Sequence, residues 1–177
     1  MPNKTLICVL CSLASFTAGS SHAAVVKHAI APAVEINGLR IAPNYLTGVE
    51  MKTTPMGGEM GEDAIHLEAD VHATKDEQHG FPEGSWVPYL TIDFTLTKDD
   101  SSFKKQGTLV PMSAKVGPHY ANEVEMAGPG TYQLTYRVAP QAPNTLVLHS
   151  DPETGVPPWW QPFTLHWTFE YPIKKAQ

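Results

Sequence analysis

From Ala64 to His72 the chain alternates without interruption, with Ile65, Leu67, Ala69 and Val71 on one side and His66, Glu68, Asp70 and His72 on the other. The same alternation runs through Tyr89–Thr97, where Leu90, Ile92, Phe94 and Leu96 oppose Thr91, Asp93, Thr95 and Thr97. Thr131–Val138 turns Tyr132, Leu134, Tyr136 and Val138 to one side. Phe163–Tyr171 sets Phe163, Leu165, Trp167, Phe169 and Tyr171 against Thr164, His166, Thr168 and Glu170. Successive side chains of a strand leave opposite faces, so a period of two marks a strand with one buried face. Several such segments, separated by glycine and proline, predict antiparallel sheets packed as a sandwich. Asn37-Gly38, between Glu35-Ile36 and Leu39-Arg40-Ile41, predicts a two-residue hairpin. The apolar run Leu146-Val147-Leu148 predicts a short strand whose last residue, His149, reaches the sheet rim. No stretch sustains a helical period, and there is neither an internal repeat nor a second-domain linker.

Gly130-Thr131-Tyr132-Gln133-Leu134 reads in two ways, as the tyrosine corner of an immunoglobulin-like domain or as an ordinary strand with a buried tyrosine. Either way the expected fold is all-β, an antiparallel β-sandwich formed by residues 24–177 as a single domain.

Ahead of that domain, Lys4, the apolar run Leu6–Phe16 and the small residues closing at Ser21-His22-Ala23 have the order of a cleaved secretory signal, residues 1–23. The apolar run is shorter than the roughly 20 residues of a membrane span, and no later segment approaches that length. The expectation is an exported, periplasmic protein that is not itself membrane-embedded. Both cysteines, Cys8 and Cys11, fall inside the signal. A cysteine-free exported chain has no disulfides, no thiol nucleophile and no cysteine-ligated zinc, iron–sulfur or blue-copper site. Removing the signal leaves 11 basic residues against 18 acidic ones, a formal charge of −7. Such a chain is unsuited to nucleic acid and suited to cations.

Candidate chemistry is concentrated in metal ligands. His66 and Glu68 leave one face of a strand with Cα atoms roughly 7 Å apart, near enough to share one ion; the alternative is the solvated side of an edge strand. Asp70 and His72 continue that face away from such an ion. Met112 follows Val110-Pro111 at a strand end, a place where methionine is either a thioether ligand or core filler. His119 follows Gly117-Pro118 on a loop held in a tight turn. His149 completes the set, while His28, His79 and His166 read as surface residues. Imidazoles with a thioether suit copper better than magnesium or calcium, which prefer oxygen.

The stretches Ile65-His66-Leu67-Glu68-Ala69-Asp70, Val110-Pro111-Met112, Gly117-Pro118-His119-Tyr120 and Pro158-Trp159-Trp160 resemble the periplasmic iron-uptake accessory family of FetP-like proteins, with a treponemal lipoprotein antigen as a relative. The resemblance implies an immunoglobulin-like homodimer that binds copper and assists iron uptake with an inner-membrane iron permease. It implies a copper site of His66, Glu68, Met112, His119 and His149, with iron at the same or an adjacent site. Val116 stands where the family often has an acid, and Ala121 where it often has a glycine. The first difference bears on any adjacent iron site and the second on loop geometry.

No Ser/His/Asp order, phosphate loop or paired carboxylate spacing points to an enzyme. The leading expectation is a metal-binding accessory of iron transport. A copper chaperone or storage protein, drawing on Met51, Met56 and Met60, and a metal-dependent oxidase of ferrous iron are the alternatives. Trp159-Trp160 after Pro157-Pro158 reads either as the centre of a dimer interface or as a cap on the chain's own core.

Overall fold

The computed structural model describes residues 24–51, 61, 63–142 and 144–172. The expected signal, Met56 and Met60 lie outside those residues. Nine strands follow in order: β1 (Val26–Ala29), β2 (Val34–Ile36), β3 (Leu39–Thr47), β4 (Ala64–Ala73), β5 (Thr91–Lys98), β6 (Lys104–Ala114), β7 (Gly117–Glu125), β8 (Gly130–Ala139) and β9 (Phe163–Tyr171). The described residues contain no helix.

All pairings are antiparallel, in the order β1-β3-β4-β7-β6-β5-β8-β9, with β2 added to β3. β6 turns the corner between two layers, because Lys104–Leu109 pair with β5 whereas Val110–Ala114 pair with β7. Gly107 lies in the first of these halves, and a Cβ there would come within 2.8 Å of the Phe94 ring. The layers face each other across the alternating residues. Tyr45 on β3 meets Phe169 and Tyr171 on β9 at centroid distances of 6.2 and 5.7 Å, and the Tyr136 hydroxyl on β8 donates to the Glu68 carbonyl on β4 at 3.2 Å. The predicted inward sets of β4, β5 and β8 lie in one buried cluster, joined by Phe169 of β9.

The Asn37-Gly38 hairpin forms, both residues taking positive φ, 54° and 76°, as the type I′ turn requires. The Tyr132 hydroxyl donates to the Gly128 carbonyl at 2.7 Å and accepts from the Ala127 N–H at 3.0 Å. That backward hydrogen bond is compatible with a tyrosine corner and equally with an ordinary strand holding a buried tyrosine.

Three expectations change. Leu146–His149 form no strand but part of the irregular connection from β8 to β9, with Val147 75% exposed. Both edges of β8 are already taken, by β5 and β9, so the run has no ladder to join there. His79 is half-buried as a residue, but its side chain is covered, only 6% exposed. Its Nδ1 lies 2.8 Å from Glu77 Oε1 and its ring stacks on Trp159 at 3.9 Å. His28 is half-buried against Tyr45, stacked at 4.6 Å. His166 is exposed, with Nδ1 3.0 Å from the Thr135 hydroxyl. Trp160 packs on the chain's own core, where it meets Phe163 at 5.0 Å.

Candidate metal centre

On β4 the apolar residues face the other layer, so His66 and Glu68 leave the outer face. They are nevertheless only 3% exposed each, which removes the solvated-edge reading. The chain around Val25 and Lys27, the segment after β3 and the β6–β7 hairpin wall a cleft of about 420 Å³ over them. His66, Glu68, Met112 and His119 all line it, together with Met51.

The hairpin is tighter than the expected loop. Ala114 pairs with Gly117, leaving Lys115-Val116 as a two-residue turn. Gly117 adopts φ 130°, open to glycine, and β7 begins at once. His119 is therefore a strand residue, directly opposite Met112. Met112 is half-buried and stands outside the hydrophobic core, so its packing is that of a cleft wall. Val116 is 95% exposed at the turn. Ala121, opposite Glu68, is buried between His119 and Glu123, and its small side chain leaves the space over β7 to the two imidazoles.

His66 Nε2 lies 3.3 Å from His119 Nε2, and Glu68 Oε2 lies 3.7 Å from the same His119 nitrogen. The ligand atoms of these three buried residues all fall within 4.8 Å of one another. The outer ring nitrogens fix which atoms carry protons. His119 Nδ1 meets the Gly117 carbonyl at 3.3 Å, and His66 Nδ1 meets Glu123 Oε1 at 2.8 Å. Both partners are acceptors, so each Nδ1 holds the proton and each Nε2 points a lone pair inward. Two lone pairs and a carboxylate then converge on one point. That arrangement suits a shared metal ion. A separation of 3.3 Å between the two nitrogens is one that two ligands of a single ion can take, so the donors fit a metal.

Lys27 adds a fixed positive charge. Its ammonium pairs with Glu68 Oε1 and lies 2.6 Å from Asp70 Oδ2, which also accepts from Asn44 at 3.0 Å. Partial burial pulls the lysine pKa down, but the bonds to Asp70 and Glu68 outweigh it and leave the ammonium more tightly protonated than usual. Burial, with Glu68 and Asp70 nearby, pushes the Tyr136 phenol well above its ordinary range.

One chain thus assembles four of the five expected ligands. His149 is not among them. It is exposed on the β8–β9 connection, with Nδ1 2.8 Å from the Thr154 hydroxyl and 3.7 Å from Asp151. Sequence reading missed Glu123 and Lys27. Continuing the alternation from His119 through Ala121 would have placed Glu123 on the ligand face; Lys27 carries no comparable signal, because its role depends on the β1–β3–β4 register.

Fold and site together define an all-β protein with a buried histidine–carboxylate cluster of metal-binding type. The chain belongs to the Fe2+ transport protein family, which it matches over residues 25–172. It is 33% identical over 138 residues to the 34 kDa membrane antigen of Treponema pallidum, covering 75% of this chain and 68% of that protein. It is also similar to FetP of uropathogenic Escherichia coli strain F11, at 39% identity and a TM-score of 0.74 over 82% of this chain and 96% of the other. Copper-reconstituted P19 of Campylobacter jejuni is 39% identical, with a TM-score of 0.75 over 83% and 97% of the two chains. The resemblance found in the sequence motifs is therefore to the right family.

Proposed function

We propose that the protein is a periplasmic copper- and iron-binding accessory of iron uptake that works with an inner-membrane iron permease. The observation that carries the reading is the convergence of the His66 and His119 lone pairs with the Glu68 carboxylate in a buried cleft. The donor set suits copper: imidazoles hold both oxidation states, Met112 favours the softer Cu(I), and Glu68 favours the harder Cu(II). The copper-bound state of the related P19 supports the same assignment. When bound, copper supplies a redox-active cation; the residues here hold it, orient it and shield it from solvent. Iron binds at the same cleft or beside it, where Glu68 offers an oxygen ligand.

In this reading the chain is a binding protein and not an enzyme, and it acts as a homodimer. His149 stands on an exposed apolar segment beside Leu146 and Val147, and a second copy that covers this segment brings His149 to the partner cleft. The N-terminal 23 residues are the signal that exports it.

Growth under iron limitation tests the function. A strain lacking the gene should grow poorly, the intact gene should restore growth only when the permease is present, and the His119→Ala form should fail to restore it. Full restoration by His119→Ala would remove the metal cleft from iron uptake.

A further inference from the structure

Glu123 lies opposite His66 in the β4–β7 register, and its Oε1 is 2.8 Å from His66 Nδ1. The carboxylate is buried, 9% exposed, against an imidazole that is 3% exposed. Its second oxygen, Oε2, has no hydrogen-bond partner among the described residues. A buried carboxylate with one oxygen unpaired is costly, and a fold needing only to fill space would do better with an apolar side chain. Its one bond therefore calls for a role. We infer that Glu123 is the positioning residue of the metal site. It holds His66 in the Nδ1–H tautomer, keeps the Nε2 lone pair in the cleft, and makes that nitrogen a stronger donor. Carboxylate–histidine–metal arrangements work in this way. The inference rests on His66 being a ligand, as proposed above.

An added negative charge favours the ion of higher charge. Glu123 thus supports Cu(II) more than Cu(I), opposite in direction to Met112. Neither Asp70 nor Lys27 can substitute, because both are committed to the Glu68 side of the cleft.

Two variants separate its contributions. Glu123→Leu removes acceptor and charge at similar volume, and Glu123→Gln keeps an acceptor oxygen but not the charge. In the metal-free protein, nitrogen-15 spectra should show His66 protonated at Nδ1, with that preference lost in Glu123→Leu. Cu(II) affinity should fall about 10–100-fold in Glu123→Leu, and Cu(I) affinity should fall less. Glu123→Gln, which is isosteric and decides the matter if the leucine form does not fold, should lower the ratio of Cu(II) to Cu(I) affinity. An unchanged ratio in a folded Glu123→Gln protein overturns the inference, as does an unchanged His66 tautomer in a folded leucine form. His119→Ala is the control for the underlying reading. Copper lost there but retained in both Glu123 variants defeats only the role of Glu123, whereas copper retained in His119→Ala defeats the metal site itself.

Discussion

At the scale of single residues, the centre depends on where protons sit. His66 and His119 each give one nitrogen to an acceptor and turn the other inward at 3.3 Å from its counterpart. Protons compete with metal for those inward lone pairs. Copper bound at pH 7 should therefore be held less tightly at about pH 4.5, because protons displace metal from imidazole; calorimetric titration at both values checks this, and equal affinity at the two would rule out imidazole ligation. Met112 works on the other axis. Its side chain lines the cleft and lies outside the core, so Met112→Leu should cost less than about 1.5 kcal/mol of stability. Its affinity for Cu(I) should fall more than its affinity for Cu(II), and equal losses would mean the sulfur is not a ligand. Spacing and residue type made His66, Glu68 and His119 candidates, and the family resemblance joined them into one set. Glu123 was overlooked although the alternation from His119 places it on the same face, and Lys27 had no signal, since its pairing with Glu68 depends on strand register, which no single strand encodes.

At the scale of elements, two buried tyrosines tie strands to their neighbours. The Tyr120 hydroxyl on β7 donates to the Val87 carbonyl at 2.7 Å and accepts from the Leu90 N–H at 3.0 Å. Tyr136 on β8 spans the layers to Glu68. Burial raises the pKa of Tyr120, only partly offset by the Leu90 N–H, and burial also raises that of Tyr136. The folded protein therefore keeps both protons to higher pH than the unfolded chain. Their contribution is complete below the unfolded phenol pKa of about 10 and is lost as pH rises through the folded values. Thermal midpoints should be level with respect to these groups at pH 8–9 and fall steeply above about pH 10. A midpoint unchanged to about pH 11.5 would contradict their burial. Tyr132→Phe should cost about 1–3 kcal/mol, because it strands the Ala127 N–H and the Gly128 carbonyl. The strands most readable in the sequence were β4, β5, β8 and β9, whose alternation is complete. The first half of β6, with Lys104, Lys105 and Gln106 all exposed, has no such signal, and its partners make it a strand.

At the scale of the whole molecule, the sandwich keeps its apolar core between layers and places the cleft on the outside of β4 and β7. That separation lets ligands change without disturbing the core. It also leaves the connection from β8 to β9 exposed, with Leu146, Val147 and His149 on it. The Gln141 side-chain amide near its start is buried, with neither atom hydrogen-bonded among the described residues. If this segment is the dimer surface, Val147→Asp should yield a monomer by light scattering at tens of micromolar and weaken copper retention with it. A wild-type monomer under those conditions would exclude the dimer. The central claim is tested most directly by electron paramagnetic resonance of the protein loaded with Cu(II). The spectrum should show one copper per chain coupled to imidazole nitrogen, and that signal should disappear when His66 and His119 are both replaced by alanine in a protein that still folds. An identical spectrum and stoichiometry in the double variant would contradict the site.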